Sequence, residues 1–160
     1  MELLGVRVEL PANTPVVMLR EQDGTRGRVL PILIGGPEAA AIHAALEGLV
    51  PPRPLTHDLA VVLLQTLGAA LEKVIITEVR EHTFFAELHL KSEKGESVVS
   101  SRPSDAIAIA VRTGAPIFAA EDLLDEAAVE LPDDDGDDEE AILDEFRDFL
   151  DEVRPEDFEA

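Results

Sequence analysis

The chain has no cysteine, no tryptophan and no tyrosine, and 4% of its residues are aromatic, all of them phenylalanine. Without cysteine there is no disulfide framework, no thiolate zinc site and no sulfur nucleophile. With phenylalanine as the only ring, stacking platforms for nucleic-acid bases are scarce. No apolar run approaches the roughly 20 residues that a membrane-spanning helix needs, and no charged and apolar leader opens the chain. The expectation is a soluble, cytoplasmic protein without a membrane partner. Cations are also few, 13 Lys and Arg against 34 Asp and Glu, for a net charge of -21.

That charge is uneven. Residues 1–120 hold 14 acidic and 11 basic side chains, a net of -3, whereas residues 121–160 hold 20 and 2, a net of -18. The body is nearly neutral, so a local cationic groove is allowed, while the whole chain repels polyanions at low salt. At 160 residues the chain is long enough for one domain with a sizeable core.

What the chain does have is one helix-start pattern used repeatedly. In RPSDAIAIAVRTGAPIF, from Arg102 to Phe118, the residue before a proline is pushed toward extended geometry, which makes Ser104 the expected N-cap with Asp105 in the first turn. Ile107, Ile109 and Val111 alternate with Ala106, Ala108 and Ala110, a composition for a helix packed on several sides. Gly114 and Pro116 end it. PPRPLTHDLAVVLLQTLG repeats the pattern with Arg53, Pro54, a Thr56 cap and Asp58, before an apolar face of Leu59, Val62, Leu63 and Leu67 closed by Gly68. IGGPEAAAIHAAL brings Gly35 and Gly36 to a third start, with Pro37 at the first helical position and Glu38 in the first turn. Unpaired N–H groups and the helix dipole make such starts suited to anions.

Around these helices, MELLGVRVEL, VVMLREQ and RGRVLPILI read as strands, the last two joined by a turn at Asp23-Gly24. LEKVIITEVRE, FFAELHLKS and ESVVSS read as three more, linked by short turns. The expectation is an α+β fold: a single domain over residues 1–131 with a largely antiparallel sheet and several packed helices. An acidic linker follows over residues 132–140, then a C-terminal amphipathic helix and tail over 141–160, whose Ile142, Phe146, Phe149 and Val153 stripe needs a partner surface. The acidic run is not an EF-hand loop, because Leu131 stands where the first carboxylate is required.

Candidate groups for phosphodiester chemistry are present without a diagnostic motif. Arg53 and Arg102 have planar forks suited to phosphate oxygens, His57 and His43 can carry protons, and Glu38, Asp58 and Asp105 can bind Mg²⁺ or act as a base. Each has a structural alternative. The arginines can pair with Asp58 and Asp105, His57 can be an exposed first-turn residue, His43 can be a buried or interface histidine, and the aspartates suit their helix dipoles in any case.

The ordered blocks LPILIGGPEAAAIHAALEG, PPRPLTHDL, LEKVIITEV with HTFFAEL, and SSRPSDAIAIAVRTGAPIF resemble the bifunctional nuclease domain family over about Leu30 to Leu124, and FRDFLDEVRPEDF is similar to the tail of many bacterial members. The resemblance implies an α+β domain, frequently self-associating, with nuclease activity on RNA and DNA. It implies a homo-oligomer, here a dimer. The family's motif positions fall on Glu38, Arg53, Thr56, His57, Asp58, Arg102, Ser104 and Asp105. Joined to the chemistry above, this gives His57, Asp58, Asp105 and Glu38 as catalytic candidates and Arg53, Thr56, Arg102 and Ser104 as substrate-binding candidates, with Asp58 and Asp105 as Mg²⁺ ligands. Many members carry an acidic residue two positions before the arginine of RPSD, where this chain has Ser100, and many have Tyr where Phe85 stands. The alternative reading is a non-catalytic regulatory or scaffolding module that binds a protein or a small anionic ligand at the same helix starts.

Overall fold

The computed structural model describes residues 1–9, 13–22 and 27–130. Within them the order is β1 (Glu2–Glu9), β2 (Thr14–Arg20), β3 (Arg28–Leu33), α1 (Gly36–Leu46), α2 (Thr56–Thr66), β4 (Ala69–Arg80), β5 (Thr83–Ser92), β6 (Gly95–Ser101), α3 (Pro103–Thr113), β7 (Ile117–Ala119), α4 (Glu121–Ala127) and β8 (Val129–Glu130). The expected α+β domain is present. Its antiparallel strands, however, form two four-stranded sheets, β1-β2-β3-β8 and β6-β5-β4-β7, because α1 and α2 intervene between β3 and β4. Among the described residues only the β4–β7 pairing is parallel. The Asp23-Gly24 turn, the acidic linker and the C-terminal helix lie outside the described residues.

Local chemistry explains the strand pairing. Pro31 sits opposite Met18 within β3, and it is tolerated because β8 covers only Arg28 and Val29, leaving no ladder bond for Pro31 to supply on that edge. The β4–β5 hairpin turns on two residues, Glu81 and His82, with φ of 47° and 59°. Two successive left-handed residues match the twist of the flanking strands, but neither is glycine, so the tip holds about 1 kcal/mol or more of backbone strain per residue.

The first sheet packs on α1 through β1 and β2 and on α4 through β3, while the second packs on α3 through β4 and β5. Pro103, Ser104 and Ala106 through Ala110 are all buried on α3, and Ile107 packs in one core with Leu19, Leu30, Ile42, Val74, Ile76 and Leu123. The small alanines let the helix approach its neighbours on several sides, and Gly114, with φ 71°, supplies the left-handed C-cap that any other residue would strain to adopt.

The helix starts differ from expectation. Ser104 and Thr56 are not N-caps. Each helix starts one or two residues earlier, with Arg102 and Leu55 as caps and no side-chain cap bond, because Pro103 fits the first helical position, where its missing N–H costs nothing. The apolar face of α2 points outward: Leu59, Val62, Leu63 and Leu67 are exposed, while Ala60, Val61 and Leu64 pack inward. A helix that is apolar nearly all round gives no stripe by which sequence periodicity could choose a side. His43 on α1 is exposed, which sets aside the buried one of its two structural alternatives. Among the described residues no helix is long and apolar enough to cross a membrane.

Candidate functional site

Three helix starts are tied together by one polar network. Asp105, in the first turn of α3, accepts from the Arg102 guanidinium through Nε at 2.7 Å and through a terminal nitrogen at 3.1 Å. The other terminal nitrogen of Arg102 reaches Glu38 Oε1 on α1 at 3.1 Å. From α2, His57 Nε2 stands 2.9 Å from Asp105 Oδ1. Arg102, whose side chain is 64% exposed, is thus shared between two carboxylates held near the surface. The Arg102 fork holds the Asp105 carboxyl below its ordinary range, with a smaller push in the same direction from His57 and an opposing one from burial; Asp105 and Glu38 in turn raise the arginine.

Beside this network lies a cleft of about 670 Å³, walled by the end of β3, the start of α1, the β4–β5 turn, the start of α3 and the end of α4. Glu38, Arg102 and Ser104 line it, together with Glu81 and His82 from the strained turn. A Cβ at Gly35 would stand 2.3 Å from Glu38 Oε2, so a larger residue there would shift that carboxylate.

Of the residues expected from the sequence, the structure brings Glu38, Arg102, Ser104, Asp105 and His57 together, the last two behind the cleft wall rather than on it. Thr56 and Arg53 are exposed, and neither lines the cleft. Arg53 makes no hydrogen bond or ion pair among the described residues. Asp58 belongs to a second network: its Oδ1 accepts from Arg112 Nε at 2.5 Å and its Oδ2 from the Leu55 N–H at 2.9 Å. The expected Arg53–Asp58 pair is therefore replaced by one between α2 and the last turn of α3. Arg112 was invisible as a partner because the two lie 54 residues apart. His57 is largely buried rather than exposed, because Asp105 draws it in.

Among the described residues no three or more of His, Asp and Glu gather as a metal-binding group. Glu38 nevertheless suits Mg²⁺, which is commonly held by one or two carboxylates plus substrate phosphates: its Oε1 meets Arg102 and its Oε2 has no donor among the described residues. Ser100 is exposed on β6, and Phe85 lies under Arg80 at 5.5 Å.

The Asp58 lock has a pH signature. Hydrogen bonds from Arg112 and the Leu55 N–H hold Asp58 below its ordinary carboxylate value. A depressed folded value stabilises the fold above the unfolded carboxylate pKa of about 3.9, and that stability disappears as pH falls through the folded value. Asp58→Asn should lower stability by about 1–2 kcal/mol at neutral pH, and thermal melts should show the gap to wild type closing below about pH 4. A gap independent of pH would remove the ion pair as its source.

Comparison with known proteins places the same features in context. The family profile described as the bifunctional nuclease domain matches residues 17–132. An uncharacterised protein of Mycobacterium tuberculosis (strain ATCC 25618 / H37Rv) is 46% identical over 165 residues, covering 99% of this chain and 96% of the relative. Bifunctional nuclease 1 and bifunctional nuclease 2 of Arabidopsis thaliana are 32% and 33% identical over 66% and 68% of this chain, which spans only about a third of their length (33% and 34%).

Proposed function

This chain belongs to the bifunctional nuclease domain family, and on that premise we propose that it hydrolyses phosphodiester bonds in RNA or DNA at the cleft beside α3. The observation that carries this reading is the Arg102 guanidinium, fixed by Asp105 and Glu38 at the cleft wall next to Ser104. In this reading Arg102 holds a nonbridging phosphate oxygen, where its fixed charge stabilises the anionic transition state without reorganising. Asp105, backed by His57, positions that arginine. The new P–O bond forms to the attacking water, which gives its proton to solvent; the bond to the leaving sugar oxygen breaks, and that oxygen takes up a proton from solvent. Mg²⁺, held by Glu38, would offset the phosphate charge. Asp58 keeps a structural role through Arg112.

The test is cleavage of labelled RNA and DNA by the purified chain, with Mg²⁺ and with EDTA. Metal-dependent cleavage is expected; no cleavage of either polymer under either condition favours the non-catalytic module instead. A cytoplasmic location, where both polymers are available, goes with this reading.

Self-association is the second part of the proposal, carried by Leu55, Leu59, Val62, Leu63 and Leu67, all exposed along α2. Monomers rarely leave such a contiguous apolar face in water. The expected unit is a dimer. Sedimentation equilibrium should show Leu63→Glu shifting it toward monomer, and an unchanged mass would put the contact elsewhere.

A further inference from the structure

We infer that the cleft beside α3 takes a single unstacked nucleotide together with a divalent cation, its phosphate at the start of α3 and its base against the apolar wall. This deepens the nuclease reading and rests on it for biological context, while the binding site itself stands on separate observations.

The first is Ser104. It is 6% exposed and lines the cleft, and its hydroxyl makes no hydrogen bond among the described residues. No fully buried side-chain oxygen or nitrogen among those residues lacks a partner, so the accessible part of Ser104 includes its oxygen, and the cleft is the space it borders. A polar group this buried and still unpaired has room for a ligand atom. The second is the 11-residue helix behind it. The first backbone bond of α3 runs from Ala106 N to Arg102 O at 3.1 Å, which leaves the Ser104 and Asp105 N–H groups without backbone partners among the described residues. With Arg102, they form a set of donors at the positive end of a helix dipole.

Size and wall chemistry narrow the ligand. About 670 Å³ falls within the roughly 300–1,000 Å³ typical of pockets for small organic ligands, a range that suits one nucleotide. Ile32, Ile34, Val79 and Phe84 also line the cleft and give it an apolar wall, so inorganic phosphate alone would leave that surface unused. Charge narrows it further. Glu38, Glu81 and Glu126 also line the cleft, against Arg102 and the titratable His82. Arg102 is already shared by two carboxylates, so a bare dianion meets net repulsion, and a divalent cation must enter with it.

Calorimetric titration of the full chain with adenosine 5′-monophosphate, in Mg²⁺ and in EDTA, tests this. Binding should require Mg²⁺, and adenosine or inorganic phosphate should each bind at least about tenfold more weakly, since each makes only half of the contacts. Ser104→Ala, a small change, should weaken the nucleotide by about tenfold, and Phe84→Leu should weaken it while leaving phosphate binding unchanged. A single-stranded oligonucleotide should displace adenosine 5′-monophosphate, and the matching duplex should not. Displacement by the strand identifies a nucleotide within a chain as the occupant; its failure, with the monophosphate still bound, identifies the free nucleotide. Nucleotide binding without any cleavage defeats the nuclease reading and leaves this site standing. Cleavage with nucleotide affinity untouched by both substitutions, or tighter binding of duplex, overturns the site.

Discussion

If the chain cleaves phosphodiesters as proposed, Arg102→Ala should lower the rate by about a hundredfold to a thousandfold, the loss typical of removing one fixed donor from a developing anion. The effect is large because two changes coincide. The guanidinium that would hold the phosphate disappears, and Asp105 and Glu38, which it bridges at 2.7 Å and 3.1 Å, are left as uncompensated carboxylates beside the incoming anion. Stability should change little, since a pair with the arginine this exposed contributes at most about 1 kcal/mol. Arg102→Lys should recover part of the rate, because it restores the charge without the fork that meets both carboxylates. A melting curve that stays near wild type while cleavage falls separates a site defect from misfolding.

Arg28→Ala produces the largest loss of stability, about 3 kcal/mol by analogy with broken buried ion pairs, at the low end because two of its partners reach solvent. Arg28 is 4% exposed. It donates to Glu21 at 2.9 Å and 2.8 Å, to Glu121 at 2.8 Å and to Asp125 at 2.9 Å, joining the end of β2, the start of β3 and both ends of α4. Those bonds raise the arginine far above its ordinary value despite the burial that opposes its charge. Removing it leaves three carboxylates around an empty space, the most buried being Glu21. Chemical denaturation should show the midpoint falling. A loss below about 1 kcal/mol would mean that the fold relaxes around the gap.

Much of this architecture was legible in the sequence. The strands and helices fall where alternation, proline and glycine place them, and the burial of α3 follows from its alternating alanine and isoleucine. The convergence of Glu38 and Asp105 on one arginine was legible only as a repeated helix-start pattern, since nothing local says that α1 and α3 stand side by side. The repetition also misled. It cast Arg53 as the equal of Arg102, yet among the described residues Arg53 has no carboxylate partner, and Asp58 turns to Arg112. Arg28 carried no signal at all, because its three partners are charged residues of ordinary appearance, two of them more than 90 residues away. The cleft depends on how the β4–β5 turn overhangs α3, a tertiary fact that no periodicity encodes.

The central claim is that phosphodiester chemistry belongs to the cleft beside α3 and to Arg102 rather than to the arginine pattern in general. Single-turnover cleavage of one labelled single strand by Arg53→Ala and by Arg102→Ala, measured side by side in Mg²⁺, tests it most directly. The account predicts that Arg53→Ala stays within about twofold of wild type while Arg102→Ala falls by at least about a hundredfold. Equal losses in both variants, or full cleavage by Arg102→Ala, would contradict it.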